Sequence, residues 1–409
     1  MKISIRRREK MRKKLYMLFA AVLLASMILA ACGTPAATPE TVTVVQTKVV
    51  NQVQVVTATP DASMVALPAG SVQINGAGAT FPLPIYTEWT YAYQFVDPST
   101  VVNYQGIGSG GGKKAIIDGT VDFAGSDSLV TDDEYTAGKD LQMYPTVAGA
   151  EVMIYNIPEL DPASDPALIF DRQTLVDIYN AKVTKWNDPE ITALNPAVAS
   201  KLPDKQITAV HRSDGSGTTE IFTRALSSFS DDWKNTVGFG TSVEWPVDKA
   251  GNGAGGKGNQ GVTAVVQNTP YAIGYVELNY AVANGLSYAQ FINKAGKTVS
   301  ANADSLQSAM NDFADTFTDK LTNIIVDGPG DGTWPIAGYT YLVLHQTSMT
   351  DCTKAQKLLE YITWTETDPA AAKRATDLGY ATLPSTVRDQ VLAKLGEVTC
   401  NGNPVMMAH

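Results

Sequence analysis

Three cysteines and three histidines in 409 residues leave little from which to build metal or catalytic chemistry. The chain has no H-E-x-x-H run and no Cys/His cluster, so a zinc-dependent hydrolase would have no ligand set. His409 is terminal. His345 follows the apolar run 341–344, where a core or strand-end role is the common one. His211 adjoins Arg212 on an alternating strand, which turns the two side chains to opposite faces. A serine nucleophile would therefore lack a base beside it. Positive charge is also scarce beyond the start of the chain. The first fourteen residues hold eight of the 31 Lys and Arg but one of the 41 Asp and Glu, so the overall −10 understates how acidic the remainder is. Such a body argues against nucleic acid as a partner, because binding a phosphate backbone needs clustered Lys and Arg. It does not argue against a buried small anion, whose pocket sets its own local potential.

No apolar run reaches the length of a bilayer span. Residues 15–29 are almost wholly apolar but only about fifteen long, against roughly 20 for a span. Preceded by basic residues and followed by small ones, they read as an export signal over residues 1–31. Leu29-Ala30-Ala31-Cys32 resembles the lipobox of bacterial lipoproteins, which implies that Cys32 becomes the acylated first residue and anchors the chain to the membrane. Residues 32–70, rich in Thr, Ala, Pro, Val and Gln and nearly uncharged, read as a flexible tether. Its valine-rich part, 41–56, has some strand character. Cys352 and Cys400 are then an even pair in an oxidising compartment, able to form a disulfide that ties down the C-terminal tail.

What the chain has in quantity is glycine in short polar loops. From residue 71 onward strand-like and helical runs alternate, which predicts an α/β fold with ligand loops at the carboxyl ends of strands. The central stretch is His211 to Glu220, HRSDGSGTTE. A short β-branched run precedes it and an amphipathic helix over 218–226 follows, so small residues open the helix and its first amides lack intrahelical acceptors. Those amides, the hydroxyls of Ser213, Ser216 and Thr218 and the helix dipole suit a tetrahedral oxyanion. Arg212 can grip the anion bidentately, with Asp214 holding its guanidinium in place.

Three further loops offer the same chemistry. GAGATFP at 76–82 exposes amides around Thr80 before a helix over 84–93, with Phe81 as a wall against water. GIGSGGG at 106–112 fits G-x-G-x-x-G, but the helix after it is short and an exported chain meets little free nicotinamide cofactor, so it reads as an anion turn around Ser109. Lys113 and Lys114 are expected to face solvent. DFAGSD at 122–127 ends on Asp127, a carboxylate that repels an anion unless the anion donates a proton. Hydrogen phosphate does so and sulfate near neutral pH does not, which makes Asp127 the specificity residue. A fourth glycine stretch, 251–257, spells G-x-x-x-x-G-K, but Gly258 stands where a nucleotide-binding loop needs Ser or Thr. It reads as a mobile loop leading into a helix near 261–266.

Taken in order, GAGATFP, YQGIGSGGG, DFAGSD and HRSDGSGTT, with GKGNQGV, AIGYVELNYA and YATLP after them, resemble the phosphate-binding proteins of ABC transporters. The resemblance runs over residues 71–397. It implies a two-lobed periplasmic-binding-protein-like fold of type II with a hinge and an interlobe cleft. One lobe would be 71–145 plus 334–409 and the other 146–333. It also implies phosphate contacts from Ala79, Thr80, Phe81, Ser109, Asp127, Arg212, Ser216, Gly217 and Thr218, with Asp214 behind Arg212. No cofactor, metal or catalytic residue is expected. The implied partners are hydrogen phosphate and a membrane permease with its cytoplasmic ATPase, served by a lipid-anchored monomer outside the cell. A receptor for sulfate, molybdate or phosphonate is the nearest alternative. A secreted phosphatase using Ser216 or Ser109 is the rival from another class.

Overall fold

The computed structural model describes residues 70–405; the export signal, Cys32 and all of the 32–70 tether except Gly70 lie outside the described residues. Parallel β-α alternation builds each end of one sheet. At the first end, β1 (Val72–Gly78) lies between β2 (Thr100–Gly106) and β3 (Phe123–Ser126), all parallel. Helices Leu83–Tyr93 and Ser109–Ile117 follow β1 and β2. The sheet is then crossed by β4 (Leu141–Tyr155), whose fifteen residues are all buried. Burial on both faces is why apolar residues stand at both odd and even positions of the run, interrupted by Gln142, Thr146 and Glu151, with no regular alternation.

A small sheet starts at β5 (Ile169–Asp171). The second parallel end of the main sheet comprises β6 (Thr208–Arg212), β7 (Gly253–Gly256) and β8 (Ala272–Glu277), with β6 in the middle. Strands β9 (Gln290–Ile292) and β10 (Thr298–Val299) complete the small sheet, and β11 (Ala337–His345) returns to run antiparallel between β3 and β4. With β12 (Ala381–Thr382) on β4, the order among the described residues is β2-β1-β3-β11-β4-β8-β6-β7. Strand β4 belongs to both ends: residues 141–150 pair with β11, and residues 151–155 pair with β8. The carboxyl ends of β1, β2, β3, β6 and β7 carry the polar loops, as expected for open α/β sheets.

The β4–β11 register slips between Thr340 and Tyr341. The slip lies beside Pro145, which has no N–H to give the ladder. The extra residue is Thr146 on β4; on the other side of β11 the β3 pairing sets Tyr341 opposite Ser126 and so brings Thr340 level with Asp127, to whose Oδ1 it donates at 2.8 Å. On the second end the core is aromatic: Phe222 stacks on Tyr275 with centroids 4.2 Å apart, and both pack near Tyr179 and Trp245. Cys352 and Cys400 form a disulfide between the start of helix Cys352–Thr367 and β13 (Thr399–Cys400), which pairs with β14 (Asn403–Pro404).

Two sequence expectations fail here. The stretch 251–257 is not a mobile loop, since residues 253–256 form β7 on the free edge of β6. Glycine has no strand propensity of its own. It is selected by close approach, because a Cβ on Gly256 would stand 2.5 Å from the Val262 nitrogen of the crossing helix. That helix begins at Gly258, three residues earlier than expected. Lys113 does not face solvent either. It is buried, donating to Glu134 at 2.9 Å and to the Leu129 carbonyl at 3.0 Å, whereas Lys114 is exposed as expected.

Candidate anion-binding site

The loops from the two ends of the sheet interlock. The Gly110 amide donates to the Gly215 carbonyl at 3.0 Å, joining the turn after β2 to the turn after β6. A Cβ on Gly217 would lie 2.5 Å from Ser109 Oγ and 2.6 Å from Asp127 Cβ, so only glycine admits this approach. Ser216 caps the helix Gly217–Phe229, its Oγ accepting from the Thr219 amide. The Gly217 and Thr218 amides, at the first positions of that helix, have no intrahelical acceptor. Among the described residues no protein acceptor meets them, nor the amides of Thr80, Phe81 and Ser109. These donors belong to residues buried almost completely. Leaving them unpaired costs free energy that a ligand oxygen would recover.

Arg212 supplies the positive charge. Its Nε and Nη2 clasp Asp214 Oδ1 and Oδ2 at 2.8 and 2.6 Å, and its Nη1 donates to Thr218 Oγ1 at 3.1 Å. Burial alone would raise the Asp214 carboxyl, but the hydrogen bonds and charge of Arg212 and the Gly258 amide outweigh it and hold the group below its usual range. Asp214 therefore stays ionised and orients the fork. His211 points to the other face, stacked on Trp245 and hydrogen-bonded to Asp248, as strand alternation requires.

Asp127 is the acceptor among these donors. Its Oδ1 takes the Thr340 hydroxyl and its Oδ2 lies 3.3 Å from Ser109 Oγ, while its own amide donates back to that oxygen. Burial pushes it up to about 7, against the pull of Thr340, Arg212 and Ser109. Two more carboxyls lie close by: Glu151 on β4 faces Glu277 on β8 across the ladder. Glu277 caps helix Leu278–Ala283 through Asn279, and burial raises it to about 8. Glu151 is fully buried with neither oxygen hydrogen-bonded. Burial drives it well above the carboxylate range, Asp127 and Glu277 adding to the shift and Arg212 opposing it.

A folded-state acid held above its unfolded value keeps a proton that the unfolded chain releases, so stability falls as pH rises from about 4 toward the folded pKa. Glu151→Gln removes that loss. Thermal melts are expected to show the variant on the order of 5 °C more stable than the parent at pH 8, with the gap closing toward pH 4. A gap independent of pH would mean that Glu151 is not the group responsible.

Of the residues expected from sequence, Thr80, Phe81, Ser109, Asp127, Arg212, Gly217 and Thr218 gather here, with Ser216 as cap and Asp214 behind Arg212. Ala79 is adjacent but engaged: its amide donates to the Gly125 carbonyl and its own carbonyl accepts from Tyr104, which leaves it no free donor. The Phe81 ring is fully buried, edge-on to Tyr380, whose hydroxyl donates to the Phe81 carbonyl. Sequence reasoning missed Thr340, Glu151 and Asn259. Asn259 donates from its amide and from Nδ2 to Thr80 Oγ1, and from Nδ2 to Thr218 Oγ1. Its signal was present in GKGNQG, obscured by the failed nucleotide-loop pattern. Among the described residues no group of three or more His, Cys, Asp or Glu is placed to hold a metal.

A family model described as a PBP superfamily domain matches residues 50–368. A curated relative from Pasteurella multocida, the phosphate-binding protein PstS, is 40% identical over 333 residues, covering 81% of this chain and 92% of that one. The chain belongs to the PstS phosphate-binding protein family. Its PstS relative from Methanocaldococcus jannaschii is 35% identical over 340 residues, covering 80% of this chain and 85% of the relative. Among solved structures, a DING protein aligns with TM-score 0.63 at 21% identity, over 81% of this chain and 99% of that one. A periplasmic phosphate-binding protein, PfluDING, aligns with TM-score 0.60 at 22% identity, over 79% and 93%. These likenesses show that this PstS family member has the periplasmic-binding-protein fold.

Proposed function

We propose that the chain captures inorganic phosphate outside the cell and delivers it to the permease of an ATP-driven importer, acting as a receptor without catalytic turnover. One observation carries this reading: five free amides, the Thr80 and Thr218 hydroxyls and the Arg212 guanidinium lie on interlocked loops that also carry one buried carboxylate, Asp127. Such a set fits an oxyanion that accepts many hydrogen bonds and donates one. The phosphate contacts are Thr80, Phe81, Ser109, Asp127, Arg212, Ser216, Gly217 and Thr218, with Asp214 orienting Arg212; Ala79 shapes the first loop without donating. Residues 71–145 with 334–409 form one lobe and 146–333 the other, and they open about the crossing of β4, a hinge motion that ligand contacts from both sides would oppose. The basic and apolar leader and Cys32 support export and a hold on the membrane by lipid.

Isothermal titration of the purified chain with potassium phosphate tests the reading. One site with a Kd of about 1 μM or tighter is expected, together with no release of phosphate from a chromogenic monoester. Absence of binding heat at millimolar phosphate would overturn it.

A further inference from the structure

Asn259 is fully buried at the start of helix Gly258–Asn268, and its carboxamide orientation is fixed. The Glu277 amide donates to its Oδ1 at 3.0 Å, so Nδ2 is the end that faces the site. From there Nδ2 donates to Thr80 Oγ1 at 2.9 Å and to Thr218 Oγ1 at 3.1 Å, and the Asn259 amide donates to Thr80 Oγ1 at 3.1 Å. Thr218 Oγ1 takes a second bond from Arg212 Nη1, also at 3.1 Å. A hydroxyl oxygen has two acceptor positions. On both threonines both are filled, so each hydroxyl can act toward a ligand only as a donor. Both side chains are buried, and among the described residues neither hydroxyl hydrogen has a protein acceptor. An O–H in that state is an unmet donor, which costs free energy until an oxygen accepts it.

We propose that Asn259 is a positioning residue that locks the hydroxyls of Thr80, after β1, and Thr218, after β6, as donors to one bound anion, so that loops from the two ends of the sheet present a single donor surface. The assignment rests on the phosphate-capture reading. A freely rotating hydroxyl could turn an acceptor toward a protonated or neutral ligand; these two cannot. Asn259 thereby removes both hydroxyls as acceptors, and the arrangement forms only when Thr80 and Thr218 share its carboxamide. Tyr280 adds to the constraint by donating to the Thr80 carbonyl at 2.5 Å, which fixes the backbone of the first loop.

A double-mutant cycle on the full chain, read by titration with inorganic phosphate, tests the proposal. Asn259→Ala is expected to weaken phosphate binding on the order of 30-fold, the effect of two ordinary hydrogen bonds. In a background carrying Thr80→Val and Thr218→Val the same substitution should cost less than about threefold, because the hydroxyls it acts through are gone. Asn259→Ser is run in parallel, since its hydroxyl keeps the site polar but is too short to reach both threonines; a cycle with either variant decides. Equal losses in both backgrounds would overturn the positioning role and leave the receptor reading intact. A parent protein that fails to bind phosphate would overturn the receptor reading itself.

Discussion

Arg212→Ala is expected to lower phosphate affinity about a thousandfold, because the substitution removes a charge and also leaves one behind. The guanidinium is almost completely buried, and Asp214 grips its Nε–Nη2 edge with both carboxylate oxygens. Charge-assisted bonds to an anion contribute about 1.5–3 kcal/mol each. Truncation also strands the ionised Asp214 near the arriving phosphate, which opposes binding in the same direction. Two such charge-assisted bonds, about 3–6 kcal/mol together, correspond at about 1.4 kcal/mol per tenfold to a loss on the order of 10³. Arg212→Lys should recover only part of the loss, since an ammonium cannot reproduce the planar two-point grip on Asp214 while also reaching Thr218. Titration calorimetry gives the numbers. A loss under tenfold for Arg212→Ala would remove Arg212 from the phosphate contacts.

Asp127→Asn is expected to erase the preference for phosphate over sulfate, a change on the order of 10³ in the affinity ratio at pH 8. An ionised Asp127 can accept the proton of hydrogen phosphate; facing sulfate, it meets a second acceptor with no hydrogen between them, an unpaired contact that discriminating sites exploit. Asparagine offers an N–H in its place, so sulfate gains a donor and hydrogen phosphate loses its acceptor. The parent protein should show the same trend through pH. Asp127 is held at about 7 by burial. Above that value it is ionised and rejects sulfate, while below it the carboxyl carries its own proton and can donate to sulfate. Phosphate binding changes less, because one proton lies between carboxylate and phosphate whichever of them brought it. Competition titrations from pH 5.5 to 8.5 are therefore expected to show selectivity rising with pH in the parent and flat in Asp127→Asn. Equal sulfate affinity of the parent at both limits would refute the role of Asp127.

Local chemistry made some of the site readable in one dimension. Asp214 lies two residues from Arg212, and Ser216 caps the helix that starts beside it, so a single turn specifies the ion pair, the cap and the free amides. The opposite facing of His211 follows from strand period alone. Lys113 misled because a lysine at the start of a glycine-rich helix is ordinarily solvated, and its partner Glu134 comes from a helix 21 positions away. Thr340 offered no local sign, since its bond to Asp127 spans 213 positions and depends on the β3–β11 register. Glu151 looks like a stray acid in an apolar run, and only the β4–β8 register sets it against Glu277.

By itself the sequence determined the α/β class and the four glycine-rich loops with their order, because turns, caps and unpaired helix-start amides are short-range features written by adjacent residues; it left open whether Cys352 and Cys400 pair, a bond across 48 positions that the structure shows. The tertiary structure alone decided how the loops on opposite ends of the sheet interlock, through Gly110 and Gly215, that 253–256 is an edge strand, and that Asn259 joins Thr80 to Thr218. Those outcomes depend on strand order and close backbone approach between segments up to about 180 positions apart, as the bond from Asn259 to Thr80 illustrates. No local propensity encodes such a separation.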